Sequence, residues 1–159
     1  MAKKPTRKAI VFVDSSVLLA ASLSSTGSAA DLITYSEQGE ITLCLCQMVL
    51  EEVGRNLHLK APQGIPRFGQ IRDRLAGTLA EPGQDLIDAV ARIVEPKDAP
   101  IVAAAITAQA QHIVSYDRRH LVYRSDAIEA AFGIPVLTPA DLILTLGLER
   151  IEHHPPLGT

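Results

Sequence analysis

This chain of 159 residues has few cysteines, no long apolar run and no excess of positive charge. Its two cysteines, Cys44 and Cys46, stand too close in sequence for an easy disulfide, and a metal site would need more partners near them. We therefore expect two buried free thiols. No apolar run reaches the roughly 18 residues of a membrane span, and the basic start meets Asp14 too early to be a signal peptide. These absences predict a cytoplasmic protein.

The composition, 47% hydrophobic and 21% charged, is that of one ordinary domain with a sizeable core. A formal net charge of −3 does not by itself indicate a nucleic-acid-binding protein. Acids gathered in a single metal site would, however, leave the rest of the chain with a positive balance. Whether the chain binds nucleic acid must therefore be judged from the placement of the charges and not from their sum.

Short apolar runs alternate with helical patterns along the chain. Strands are predicted at AIVFV, ITLCLC, HIVS and IPVL, with a possible fifth at the apolar end of QDLIDAVARIV. Such alternation is typical of βαβ units, in which helices cover both faces of a parallel sheet. We therefore expect an α/β fold with four or five parallel strands and a functional site at their carboxyl ends.

Four acidic residues fall where this fold brings side chains to that edge. Asp14 ends the first strand, and Asp117 follows the HIVS strand after one intervening residue. Asp98 opens a helix, and Glu52 lies in the first turns of another, where side chains lean toward the helix N-terminus. We refer to Asp14, Glu52, Asp98 and Asp117 as the four acids.

Carboxylates that crowd together raise one another's pKa values unless a cation lies among them. With oxygen ligands and no histidine or thiolate near the four acids, one or two Mg²⁺ or Mn²⁺ ions fit better than Zn²⁺. Such ions accept phosphate oxygens as further ligands, which indicates phosphodiester chemistry. Ser15 and Ser16 are expected to hydrogen-bond the free oxygen of Asp14 or a bound water.

Simpler explanations exist for each acid. Asp14 and Asp98 could serve only as helix N-caps, and Asp117 could begin a turn. Glu52 could be a solvated residue that pairs with Arg55, and its neighbour Glu51 is the alternative ligand.

The basic residues and the histidines are predicted to have different roles. Three basic residues flank the acids and are expected to hold a substrate backbone: Lys97, Arg118 and Arg119. Three histidines are expected to be structural, because no nucleophile or orienting acid is evident beside them: His58, His112 and His120.

In their order and context, these pieces resemble the PIN-domain family of nucleases, from about residue 9 to residue 147. The matching pieces are VDSSVLLAA, VLEEV, KDAPIVAAA, IVSYD and PVLTPADLI. The resemblance implies a three-layer α/β/α nuclease domain over residues 9–147, with a basic N-terminal tail at 1–8 and a C-terminal tail at 148–159.

Two departures from the family pattern concern residues beside the acids. Relatives often carry asparagine at the position of Ser16, and Thr-Gly-Asp in place of Ser115, Tyr116 and Asp117. Both departures keep a polar group beside the acids, Ser115 among them. They are expected to affect the rate more than the presence of activity.

Within that family, the sequence resembles the toxin components of bacterial toxin–antitoxin pairs. That resemblance implies a metal-dependent endoribonuclease that cuts RNA to leave a 3′-hydroxyl and a 5′-phosphate. It also implies a homodimer and an antitoxin protein that holds the enzyme inactive.

Two other classes stay open. A haloacid-dehalogenase-like phosphatase also uses a strand-end aspartate with Mg²⁺, but needs a second aspartate where this chain has Ser16. A non-catalytic PIN-like interaction module would tolerate loss of one or two acids, whereas all four are present here.

Overall fold

The computed structural model describes residues 8–153, so most of the predicted basic tail and the last six residues of the C-terminal tail lie outside the described residues. One parallel sheet organises this part of the chain, with the strand order β2-β1-β3-β4. Its strands are β1 (Ala9–Val13), β2 (Ile41–Cys44), β3 (His112–Val114) and β4 (Val136–Leu137). The predicted α/β fold with a parallel sheet flanked by helices is confirmed, with four strands in the described residues.

Helices fill the connections between strands. Those found in residues 8–153 are α1 (Ser15–Leu23), α2 (Ser28–Glu37), α3 (Gln47–Lys60), α4 (Ile65–Leu75), α5 (Gln84–Val90), α6 (Ala99–Thr107), α7 (Ser125–Phe132) and α8 (Pro139–Leu146). Among these residues no single helix is long and apolar enough to cross a membrane. Only α1 and α2 taken together, with a bend of 91° between them, reach the length and composition of a span.

The possible fifth strand at the end of QDLIDAVARIV is wrong. After α5 the chain turns instead of extending, because the amides of Ile93 and Val94 both bond back to the carbonyl of Val90. Val90 and Val94 are buried by this turn. An apolar segment can thus reach the core without pairing in the sheet.

The core lies around β1, which pairs with β2 on one side and β3 on the other. Phe12 stands opposite Cys44 and Ile113 and is fully buried. Burial of a central parallel strand on both faces explains why its sequence is continuously apolar.

The prediction of two buried free thiols is confirmed. Both cysteines are buried and unpaired. The Cys44 thiol donates to the carbonyl of Val11 at 3.5 Å, and burial, with a smaller contribution from Cys46, raises the pKa of Cys44 to about 12. Cys44 therefore behaves as a small core residue.

Backbone hydrogen bonds join the carboxyl end of β3 to those of β1 and β4. The amide of Asp14 donates to the carbonyl of Val114 at 3.0 Å, and the amide of Ser115 donates to Leu137 of β4 at 3.0 Å. The first residues after β1 and β3 consequently share one edge of the sheet, as expected for parallel strands.

Candidate active site

All four acids line a single pocket of about 360 Å³ at the carboxyl edge of the sheet. Ser15, Ser16 and Lys97 line it as well. Ser115, which is buried, and Arg118 and Arg119, which are exposed, do not line it. The predicted convergence of the four acids is therefore seen in the structure, whereas their chemical role stays a prediction.

Asp14 is held at the end of β1 by serine hydroxyl groups, and the predicted contact with Ser15 is present as a long hydrogen bond, 3.5 Å from Ser15 Oγ to Asp14 Oδ1. Its Oδ2 accepts hydrogen bonds from Ser115 at 2.7 Å and from Ser16 at 3.0 Å. Asp14 occupies the N-cap position of α1, but its side chain makes no capping hydrogen bond, so helix capping does not explain the acid. Burial raises the pKa of Asp14, the serine hydrogen bonds oppose that rise, and the nearby Glu52 carboxylate adds to it.

The serines also connect Asp14 to the loop that carries Asp117. Ser16 Oγ accepts the amide of Tyr116 at 3.0 Å, and Ser115 Oγ accepts the amide of Asp117 at 2.9 Å. Each hydroxyl thus accepts a backbone proton and donates its own to Asp14. The predicted supporting contacts of Ser16 and Ser115 are present in this network.

Asp98 occupies the N-cap position of α6. Its carbonyl accepts the amides of Ile101 and Val102, but its side chain makes no capping bond. Asp98 is 7% exposed, and its Oδ2 is a buried oxygen without a hydrogen-bond partner among residues 8–153. Burial raises the pKa of this carboxyl, an effect that Lys97 opposes and Asp117 reinforces.

The structure separates the two neighbouring glutamates of α3. Glu52 lines the pocket and accepts the hydroxyl of Ser15 at 3.0 Å. Glu51 is exposed and lines a different groove, between α3 and α4. Among residues 8–153 no ion pair joins either glutamate to Arg55. Glu52 is therefore the better-placed candidate ligand.

Asp117 has a structural as well as a pocket-lining role. Its Oδ1 accepts the amide of His120 at 3.1 Å, and its carbonyl accepts the amides of Leu121 and Val122. The simple explanation, that Asp117 begins a turn, is thus correct but incomplete, since the residue also lines the pocket.

The donor set suits a hard divalent cation. The four acids offer oxygen ligands only, and the partnerless Oδ2 of Asp98 is a buried acceptor of the kind that a cation satisfies. As the side chains stand in the described part of the chain, no three His, Cys, Asp or Glu residues form a group that could hold a metal ion. Mg²⁺ usually keeps several waters and takes few carboxylates directly, so the pocket fits an ion bound partly through water.

Sequence reasoning missed some residues of the pocket wall. They are Leu19, Met48, Val53, Asn56 and Ile101. Helical spacing was the available signal, because Asn56 follows Glu52 by four residues and Ile101 follows Asp98 by three.

The histidines differ in position. His112 lies in β3 and His58 in the groove between α3 and α4. The expectation that no acid lies beside His120 does not hold, because its Nδ1 is 3.3 Å from Asp117 Oδ1.

Comparison with known proteins finds similarity to a protein family and to a solved structure. A family model described as PIN domain matches residues 10–119. The crystal structure of PAE2754 from Pyrobaculum aerophilum is similar with a TM-score of 0.56 and 18% sequence identity, over 89% of this chain and 91% of that chain. At that identity the likeness concerns the fold alone. Among curated proteins, no sequence matches the chain.

Proposed function

The chain belongs to the PIN-domain family, whose members are generally nucleases, and on this premise we propose that it is a metal-dependent endoribonuclease that hydrolyses RNA phosphodiester bonds. The observation that carries the proposal is the meeting of four acids from separate segments in one pocket, with a buried oxygen of Asp98 left without a partner in the part of the chain that the structure describes. Stability alone does not account for such an arrangement, because an unpartnered buried carboxylate oxygen costs free energy.

In this proposal the four acids hold one or two Mg²⁺ or Mn²⁺ ions. When bound, such ions lower the pKa of a coordinated water and stabilise the charge that develops on the scissile phosphate. The chain's own hydroxyl groups keep the acids in place: Ser16 and Ser115 orient Asp14, and Ser15 contacts Glu52. Two of the acids are thereby pre-oriented for ligation.

Substrate binding in the proposal falls to basic residues around the pocket. Lys97 lines the pocket beside Asp98, and the exposed Arg118 and Arg119 flank Asp117 in sequence. Contacts of this kind to backbone phosphates position RNA without reading its sequence. The apolar wall that contains Leu19 and Met48 offers a surface for a base or sugar.

Cleavage of a labelled single-stranded RNA in the presence of Mg²⁺ or Mn²⁺ tests the proposal. The wild-type protein is expected to cut the RNA, and Asp14→Asn to reduce the rate by at least about a hundredfold, the effect expected when a major charge-stabilising contact is lost. Asp73→Asn is the matched control, because Asp73 is exposed and, within the described residues, pairs only with the neighbouring Arg72. Equal rates for wild type and Asp14→Asn would contradict the catalytic assignment, and a non-catalytic binding module would then be favoured.

Metal binding has a separate readout. Millimolar Mn²⁺ is expected to raise the melting temperature of the wild-type protein in a concentration-dependent way, because a ligand that binds only the folded state stabilises it. The same titration of Asp98→Asn should give a smaller shift. An unchanged melting temperature of the wild-type protein would contradict a metal site.

We also propose, from the family resemblance, that the protein acts as the toxin of a toxin–antitoxin pair, as a homodimer restrained by an antitoxin protein. A short gene immediately upstream that encodes a DNA-binding protein would support this role. Co-expression should then restore growth of cells that the nuclease alone inhibits, and light scattering of the purified chain should give twice the monomer mass.

A further inference from the structure

His120 lies in the turn that follows Asp117, close to the basic residue that lines the pocket. Its Nδ1 is 3.2 Å from Nζ of Lys97 and 3.3 Å from Oδ1 of Asp117. Its amide also donates to Asp117 Oδ1, which fixes the backbone that carries the ring. The imidazole is therefore fixed between a residue of the pocket wall and one of the four acids.

Nδ1 of His120 faces both a donor, Lys97 Nζ at 3.2 Å, and an acceptor, Asp117 Oδ1 at 3.3 Å. An ammonium group has donors only, so a hydrogen bond between Lys97 and His120 requires Nδ1 to accept. In that tautomer the ring proton lies on Nε2, whereas the opposite tautomer would donate from Nδ1 to Asp117 Oδ1 instead. When Lys97 is the partner of Nδ1, Nε2–H is a hydrogen-bond donor without a partner among the described residues.

The ring remains accessible at the rim of the pocket, with 28% of its side chain exposed. A donor beside an ammonium group and next to a carboxylate-rich site is suited to an anionic oxygen. On the proposed function, the anionic oxygens that approach this rim belong to the RNA backbone.

We propose that His120 is a substrate-binding residue, and that its Nε2–H and the Lys97 ammonium together hold one backbone phosphate of single-stranded RNA at the edge of the pocket. This assignment rests on the proposed function and adds a residue to it. Lys97 contributes the charge and His120 contributes a directed hydrogen bond.

The test separates these two contributions without any cleavage. Binding of a fluorescein-labelled single-stranded RNA is measured by fluorescence anisotropy in EDTA at pH 8, over a range of KCl concentrations, in the Asp14→Asn background. His120→Ala is expected to weaken binding about three- to tenfold, the loss of one net hydrogen bond. His120→Gln should recover part of the affinity through its amide N–H.

The salt dependence distinguishes the two side chains. Lys97→Ala should lower the slope of log affinity against log salt by about 0.7, the loss of one phosphate contact on a single strand. His120→Ala should leave that slope unchanged. His58→Ala, a histidine in the groove between α3 and α4, is the matched control and should bind like the background protein.

Two results would overturn the assignment: His120→Ala binding RNA as tightly as the background protein, or His58→Ala losing as much affinity as His120→Ala. Neither result would affect the proposed function, provided that the wild-type protein still cleaves RNA. A wild-type protein that does not cleave RNA contradicts the proposed function itself.

Discussion

The interior of the sheet and its carboxyl edge bury opposite kinds of side chain. In the interior, Phe12 and Ile113 are fully buried among apolar neighbours, and even the Cys44 thiol reaches a carbonyl. At the edge, Asp14 and Asp98 are nearly as deeply buried, yet one oxygen of Asp98 has no partner. Phe12 in the interior lies in β1, and Asp14 at the edge directly follows that strand.

This contrast separates what the fold needs from what the site needs. Burial of an apolar side chain such as Phe12 contributes about 1.5 to 3 kcal/mol to stability. A buried polar group without a partner costs about 1 to 3 kcal/mol. The interior therefore stabilises the protein, whereas the edge gives up part of that stability to keep acids in a pocket.

Truncation in the interior should have the largest effect. Phe12→Ala is expected to lower the free energy of unfolding by about 3 to 5 kcal/mol, since it removes a fully buried aromatic ring and leaves a cavity. Denaturation in guanidinium chloride measures the loss. Leu144→Ala is the control, because Leu144 is 78% exposed and should change stability by no more than about 0.5 kcal/mol.

At the carboxyl edge, a substitution should raise the free energy of unfolding instead of lowering it. Burial raises the pKa of Asp98, so its ionised form is disfavoured in the folded protein, and stability falls as pH rises from its ordinary value through the raised one. Without metal, Asp98→Asn should therefore raise the free energy of unfolding at pH 7. Chemical denaturation in EDTA measures this gain.

A stability loss in Asp98→Asn would show that the carboxylate contributes to the fold. Glu95→Gln provides the matched control, because Glu95 lies just before Asp98 and its side chain forms an exposed ion pair with Arg124. Removal of that pair should change stability by less than about 1 kcal/mol.

How far the sequence predicts the structure differs between the same two regions. β1 and the position of Asp14 follow from a local apolar pattern that ends in an acid, and Asp98 follows from a helix start before Pro100. The position of His120 does not follow, because it lies in an irregular turn where no periodicity indicates direction. Its contact with Lys97 joins segments 23 residues apart.

The two glutamates of α3 illustrate an intermediate case. A helical pattern establishes that Glu51 and Glu52 point about 100° apart, but not which of them faces the sheet edge. That depends on how α3 packs on its neighbours, which is a tertiary property. Asn56, in contrast, was predictable as soon as Glu52 was chosen, since the two residues are one turn apart.

The smallest expected effect concerns the amino end of β3, where a second buried polar atom lacks a partner. This atom is Nδ1 of His112, and burial lowers the pKa of the ring, an effect that the charge of Glu129 partly opposes. The folded protein therefore favours neutral His112. Its contribution to stability is complete above the ordinary histidine pKa near 6.5 and is lost as pH falls below that value.

Comparison of the wild-type protein with His112→Gln isolates this contribution. The difference in their free energies of unfolding should change by less than about 1 kcal/mol between pH 7.5 and pH 5.5, to the disadvantage of the wild type, because the ring is only partly buried. Other titrating groups are common to both proteins and cancel. A difference independent of pH would mean that His112 is equally protonated in the folded and unfolded states, and that unpartnered burial costs stability only at the acidic edge.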